Sequence, residues 1–222
     1  MKYIMDHYDS DEVARKYHAA FNNGDADQVQ FRKAIDRYSK FVSNMMDSGR
    51  ILDAGCGTGR FVKYFRSDGF RVTGIDTSQS MLEIAAIDNP GTEFIVMDMR
   101  SLTFPSNHFD GIWNSGCILH LEKDGVVSAF RESARVLKKD GIFYIATRTG
   151  DEDSATVEES TEGGKIAVNY YSSATLRSLL EMEGFEIVGM YVEPDDFGRP
   201  FEYCYVFARN SGKQIHDVSS AI

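Results

Sequence analysis

From Ile51 onward the chain alternates short β-like runs with segments of helical periodicity, and this alternation limits the possible folds more than any other feature. The runs are RILDA, FRVTGID, TEFIVMD, FDGIWNS and GIFYIATR. Between them lie helical segments that begin at Gly59, Ser78 and Glu122, the last carrying Val126, Val127, Phe130, Ala134 and Leu137 on one face. Strand, helix and strand in regular order require right-handed crossovers and a parallel sheet covered on both faces, so an α/β, doubly wound architecture is expected. After Arg148 the acidic stretch TGDEDSATVEESTEGGK has the composition of an exposed loop or insertion. SSATLRSLLEMEGF then reads as a helix capped by Ser172 or Ser173, with Leu176, Leu179 and Leu180 inward and Gly184 as its stop. The final runs, FEIVGMYV and FEYCYVFAR, are too close in sequence for a helical crossover, so they should pair antiparallel.

Two helical segments precede the first strand. One places Val13, Ala14, Tyr17, Ala20 and Phe21 on a single face, with Asp9 or Ser10 as cap and Asn22-Asn23-Gly24 as stop. The other carries Phe31, Ile35, Tyr38, Val42 and Met45 and ends near Ser48-Gly49. The expected organisation is an N-terminal helical lid over 1–48, one catalytic domain over 49–210 and a polar tail over 211–222. A chain of 222 residues with 42% hydrophobic content can bury one substantial core. The formal net charge of −10 would repel a phosphate backbone, which disfavours DNA and makes tRNA an unlikely partner. The opening MKYIMDHYDS lacks an apolar run of signal length, no segment has the apolar length of a membrane span, and a soluble cytoplasmic protein is expected. Cys56, Cys117 and Cys204 lack the spacing of a metal site or a disulfide framework and read as reduced packing residues.

The turn after the first run, LDAGCGTGR, is where a doubly wound sheet contacts its ligand. Gly55, Gly57 and Gly59 allow unusual backbone angles and let a ligand approach the main chain. The alternative is a tight strand-to-helix turn with no ligand, which three glycines between an apolar strand and a helix make the minority reading. The spacing is G-x-G-x-G rather than the G-x-G-x-x-G of dinucleotide enzymes, which disfavours a nicotinamide dehydrogenase. Asp53 beside the loop favours a cation over a phosphate. Asp76 and Asp98 end the second and third runs, so three acids stand at the same edge of neighbouring strands. A carboxylate in the position of Asp76 can accept hydrogen bonds from both ribose hydroxyls.

LDAGCGTGR, GID, MDM and FDGIWNS together resemble the motif series of the class I S-adenosylmethionine-dependent methyltransferases over about residues 50–208. The resemblance implies a seven-stranded, Rossmann-like sheet of order 3-2-1-4-5-7-6 with an antiparallel last strand. It also implies S-adenosylmethionine as cofactor and S-adenosylhomocysteine as product. Position by position, Gly55, Cys56 and Gly57 would lie against the methionine part, with Gly59 completing the turn and Asp53 facing the ammonium directly or through water. Asp76 would bind the ribose with Thr77 or Met81 beside it, Asp98 the adenine amino group with Met99 over the ring, and Asn114 would lie near the sulfonium. Tyr8 and Tyr17 are candidates to close over the cofactor, Tyr17 also fitting the apolar stripe.

Methyl transfer from a sulfonium mainly requires orientation and exclusion of water, with a general base only for a hydroxyl or protonated amine. His120, in SGCILHL beyond the fourth run, is the best-placed candidate base, against a packing role. NSGC at 114–117 replaces the proline-containing signature of enzymes that methylate amino groups of bases or glutamine. A weaker resemblance to a small-molecule subgroup places Arg148, Tyr170, Tyr171 and Arg199 around an anionic or polar acceptor, with arginine–carboxylate pairing as the alternative. Arg32 and Arg60 could join them. The expected activity is transfer to an O, N or S atom of a small molecule; the alternatives are tRNA modification and a non-catalytic S-adenosylmethionine-binding protein.

Overall fold

The computed structural model describes residues 7–22, 32, 35–36, 38–39, 49–160, 162–194 and 200–213. Helix α1 (Asp11–Asn22) precedes β1 (Arg50–Ala54), α2 (Val62–Ser67), β2 (Arg71–Asp76), α3 (Gln79–Asp88) and β3 (Glu93–Val96). Then follow β4 (Phe109–Ser115), a 3-10 turn (Ile118–His120), α4 (Lys123–Val136) and β5 (Leu137–Thr149). The chain continues through β6 (Ser154–Glu159), β7 (Lys165–Tyr170), α5 (Ser173–Met182), β8 (Phe185–Pro194) and β9 (Glu202–Asn210). Seven strands form one sheet of order β3-β2-β1-β4-β5-β9-β8. The strands from β1 to β5 pair parallel, and β9 runs antiparallel to both β5 and β8. Counting only strands of this sheet, the order is the expected 3-2-1-4-5-7-6.

The central strands form because they are buried on both faces. FDGIWNS of β4 is enclosed except at its last residue, and its adjacent Ile112 and Trp113 are both fully buried, one on each face, so it does not read as a polar–apolar alternation. On one face Leu52, Ile112, Phe143 and Val206 meet Phe130 of α4 and Leu176 and Leu180 of α5. On the other face Trp113 and Tyr144 stack with ring centroids 4.0 Å apart, and Phe61, Phe65, Ile35 and Tyr38 pack over them. Each such fully buried side chain contributes roughly 1.5–3 kcal/mol. Ile35 and Tyr38 thus belong to the stripe expected for the second N-terminal segment, while Phe31, Val42 and Met45 lie outside the described residues. In α1, Ala14 is buried but Ala20 of the expected stripe is exposed.

Local signals set the helix ends. Ser78 caps α3, its Oγ accepting from Met81 N at 3.1 Å, and Ser172 caps α5 through Thr175 N at 3.2 Å. Gly184 follows α5 at a positive φ of 86°.

The acidic stretch after Arg148 is not an irregular loop. It folds into a two-stranded antiparallel hairpin, β6–β7, separate from the main sheet. Strand β6 is almost wholly exposed, hence its loop-like composition, whereas KIAVNY of β7 alternates and buries Ile166 and Val168 against Leu119. The alternation in β7 and the Gly163-Gly164 pair were the available signals for a hairpin.

Candidate active site

At the carboxyl ends of β1, β2 and β4 lies a cavity of about 150 Å³. With one water occupying roughly 10–15 Å³ on this measure, it holds on the order of ten water-sized occupants. Its walls come from three regions. Tyr8 and Tyr17 enter from the N-terminal segment; Gly55, Gly57, Asp76, Thr77 and Met81 from the first two strand ends; and Asp98, Met99, Cys117 and His120 from the third and fourth.

The turn after β1 is anchored to the neighbouring strand, with the amides of Gly55 and Cys56 both donating to Ile75 O at 2.8 and 2.9 Å. Gly55 has φ +76°, and a Cβ there would lie 2.5 Å from Cys117 Sγ, so the residue is bare because the chain after β4 crosses close over it. Gly57 faces more open space, its nearest neighbour in the Cβ direction being the Tyr17 ring at 3.7 Å. Gly59 does not line the cavity. Its Cβ direction points at Asn89 Nδ2 (2.9 Å) and Ala85 of α3, so this third glycine permits close packing of α3.

Asp76 ends β2 with Oδ2 accepting from Gly57 N at 2.9 Å and Oδ1 from Ser78 N at 3.0 Å. Burial pushes its carboxyl up, against the backbone hydrogen bonds of Ser78, Gly57 and Thr77, and the carboxylate keeps some acceptor capacity. Asp98 is engaged by Arg100, whose Nε lies 2.9 Å from both carboxylate oxygens. Burial works to raise Asp98, but the hydrogen bonds and charge of Arg100 outweigh it and hold the carboxyl below its ordinary value.

A layer deeper than the lining lie Asp53, Cys56 and Asn114, all buried. Asn114 Nδ2 donates to Ala54 O at 2.9 Å, while its Oδ1 meets no hydrogen-bond partner among the described residues. Asp53 Oδ2 is likewise unpartnered among them. Burial raises its carboxyl to about 7, with Arg60 opposing and Asp76 adding to the rise. Arg60 lies 5.8 Å from the Tyr17 ring centroid and 5.1 Å from that of Phe21.

The described residues among those expected around an acceptor do not line the cavity. Arg148 does not reach the cavity lining; it pairs with Glu158 at 2.5 Å and lies over the Phe201 ring at 3.9 Å. Tyr170 donates to the same Glu158 at 2.9 Å. Tyr171 is a core residue whose hydroxyl donates to Leu121 O at 2.5 Å. Arg32 pairs with Asp68 and Asp36, and Arg199 lies outside the described residues. His120, by contrast, is in the wall, with Nδ1 3.2 Å from Ala167 O and its ring 5.7 Å from that of Tyr8.

Met97, Arg100, Ser115, Gly116 and Leu121 also line the cavity, as does Cys117, which the sequence suggested only as a packing residue. Position was the usable signal for 115–117, because they directly follow a central parallel strand, where such sheets bind ligands.

The glycine turn and the row of acids stand at one rim of this sheet, where doubly wound α/β folds bind their ligands. A family model described as a methyltransferase domain matches residues 52–145, which marks the chain as a methyltransferase of Rossmann-like fold. The putative methyltransferase YqeM of Bacillus subtilis (strain 168) is 26% identical over 211 residues, covering 87% of this chain and 85% of that protein. Two shorter matches concern named activities. A malonyl-[acyl-carrier protein] O-methyltransferase of Enterobacter lignolyticus is 30% identical over 46% of this chain and 40% of that one. A probable tRNA methyltransferase 9B of Mus musculus is 34% identical over 51% of this chain and 25% of that one. Among solved structures, the 1,6-didemethyltoxoflavin-N1-methyltransferase of Burkholderia thailandensis, with bound 1,6-didemethyltoxoflavin and S-adenosylhomocysteine, superposes with a TM-score of 0.67. At 20% identity over 90% of this chain and 88% of that one, the likeness is one of fold. The S-adenosylhomocysteine in that structure is the product form of the cofactor that the sequence resemblance implies.

Proposed function

We propose that this methyltransferase acts on an O, N or S atom of a small-molecule acceptor, with residues 1–48 as a lid over a domain spanning 49–210. The observation that carries the reading is the cavity itself. It is walled by Tyr8 and Tyr17 on the side facing the N-terminal segment, and at about 150 Å³ it leaves little room for a bulky acceptor beside the cofactor. The surface charge of −10 agrees, since a tRNA acceptor would need a basic face. A cytoplasmic setting fits the three free thiols among the described residues. Among those residues no helix is long and apolar enough to cross a membrane.

The residues present fit the cofactor. A buried carboxylate oxygen without a partner on Asp53, next to backbone bared at Gly55 and Gly57, suits an ammonium group held directly or through water. Asp76, fixed by two backbone amides and retaining acceptor capacity, would hold the ribose hydroxyls, with Thr77 and Met81 alongside. Asp98 and Met99 would receive the adenine, and Tyr17 would cover the cofactor. Cys56 and Asn114 would support this surface from below. When bound, the cofactor supplies an electrophilic methyl group on sulfur, whose C–S electron pair stays with sulfur as a neutral thioether. The chain's part is then to orient the acceptor and exclude water.

The test is transfer of label from methyl-labelled S-adenosylmethionine into three substrates in parallel: a metabolite extract, bulk tRNA and malonyl-acyl carrier protein. Label in the low-molecular-mass fraction is expected. Salt-sensitive labelling of tRNA, or labelling confined to the carrier protein, would refute the small-molecule reading.

A further inference from the structure

Outside the seven-stranded sheet, the β6–β7 hairpin makes a specific set of contacts with the turn that follows β4. Asn169 Nδ2 donates to Leu119 O at 3.2 Å, His120 Nδ1 lies 3.2 Å from Ala167 O, and Tyr171 Oη, just after β7, donates to Leu121 O at 2.5 Å. Three successive residues of the turn are thus held by the hairpin. The second contact also decides a tautomer. A carbonyl oxygen can only accept, so Nδ1 carries the proton and Nε2 of a neutral ring is left with its lone pair. Among the described residues, Nε2 meets no hydrogen-bond partner, and the ring forms part of the cavity wall.

We infer that His120 is a catalytic residue which accepts a proton from the methyl acceptor at Nε2, and that the acceptor is an uncharged O–H or N–H nucleophile rather than a carboxylate. This deepens the small-molecule reading and rests on it.

The charges around the cavity support the choice of substrate class. Asp76 and Asp98 face the cavity, and Glu162 influences both Tyr8 and Tyr17. Among the described residues, the cations nearest this cavity are engaged, Arg100 by Asp98 and Arg148 by Glu158. A carboxylate acceptor would therefore meet acids and an imidazole lone pair, with no proton to offer that lone pair. A neutral O–H or N–H would give one hydrogen bond to Nε2 and be oriented by it.

The proton inventory is consistent. The acceptor's lone pair forms the new bond to the methyl carbon, and its X–H electron pair returns to X. The proton passes to Nε2, making an imidazolium that then loses a proton to solvent. Burial lowers His120 to about 4; the bond to Ala167 opposes this, and the charges of Arg148 from β5 and His7 from the N-terminal segment add to it. The ring is therefore neutral and fully available at pH 7. A weak base suffices, because a neutral acceptor becomes strongly acidic as its lone pair is drawn into the new bond.

The experiment has two readouts on the full chain. The first is ring ¹⁵N NMR of His120 in ligand-free protein between pH 5.5 and 8, where the neutral Nδ1–H tautomer is expected throughout. The second is labelled methyl transfer into metabolite extract by wild type, His120→Ala and His120→Gln, with the products treated with alkali. Methyl esters of carboxylates release labelled methanol, whereas methyl ethers and N-methyl products do not. Alkali-stable label is expected, with roughly a 10²- to 10⁴-fold loss of rate in both variants and S-adenosylmethionine affinity within threefold of wild type by calorimetry. An Nε2–H tautomer or an imidazolium at pH 7 overturns the proposal. So do alkali-labile products, or a His120→Ala rate within threefold of wild type. If no product forms, the tautomer alone decides. Label recovered in tRNA or in protein would sink the small-molecule reading instead, leaving the ring measurement as a separate result.

Discussion

Asp53 offers a sharp test because the same carboxylate should destabilise the empty protein and serve the loaded one. Burial moves it from 3.8 to about 7 in the folded state. Between these values the folded chain holds a proton that the unfolded chain has lost, so stability falls as pH rises from about 4 to 7 and the loss is complete above 7. At 1.36 kcal/mol per pKa unit the shift corresponds to about 4 kcal/mol. Asp53→Asn keeps the shape and removes the ionisation, while leaving an unpartnered buried amide at a cost of about 1–3 kcal/mol. The ligand-free variant should therefore be about 1–3 kcal/mol more stable than wild type at pH 8 and no more stable at pH 4. Urea unfolding at the two pH values measures the difference, and other titrating groups cancel between the two proteins. If the carboxylate faces the cofactor's ammonium, the same variant should bind S-adenosylmethionine at least tenfold more weakly by calorimetry. A variant less stable than wild type at pH 8 would show that Asp53 is not a desolvated charge, and the reasoning about its role would fail with it.

Three further outcomes are expected. Asp76→Ala should weaken S-adenosylmethionine binding by roughly 1.5–3 kcal/mol, as for hydrogen bonds to a charged group; unchanged calorimetric affinity would dispose of the ribose assignment. Gly55→Ala should cost about 2 kcal/mol or more in urea unfolding, from a left-handed φ and a Cβ 2.5 Å from Cys117 Sγ, and Cys117→Gly in the same chain should recover part of the loss. Ser78→Ala removes both the cap of α3 and the 2.7 Å bond to Tyr8 O. It should cost roughly 1 kcal/mol and increase proteolytic cleavage near residues 7–10.

The order of elements, the doubly wound sheet and its antiparallel finish were readable because they depend on periodicity and connection length, which are properties of the chain itself. RILDA followed by three glycines, and acids at 53, 76 and 98, pointed to one rim of the sheet for the same reason, and a cavity lies there. Every strand of a parallel sheet presents its carboxyl end on the same side. The stretch read as an exposed loop or insertion, and its pairing into a hairpin stayed hidden because β6 exposes nearly all its side chains, so its composition carried no sign of a strand.

What remained for tertiary structure was which neighbour each residue meets. Nothing local to Gly59 says that Asn89 will press against it, or that Gly55 is bare for Cys117 rather than for a ligand alone. Arg148 and Tyr171 looked like acceptor contacts, yet Glu158 and the carbonyl of Leu121 claim them. His120 meets the carbonyl of Ala167, a residue 47 positions away. Residue type and spacing determine which chemistry a chain carries, whereas desolvation and pairing, which tune that chemistry, depend on atoms brought together only by folding.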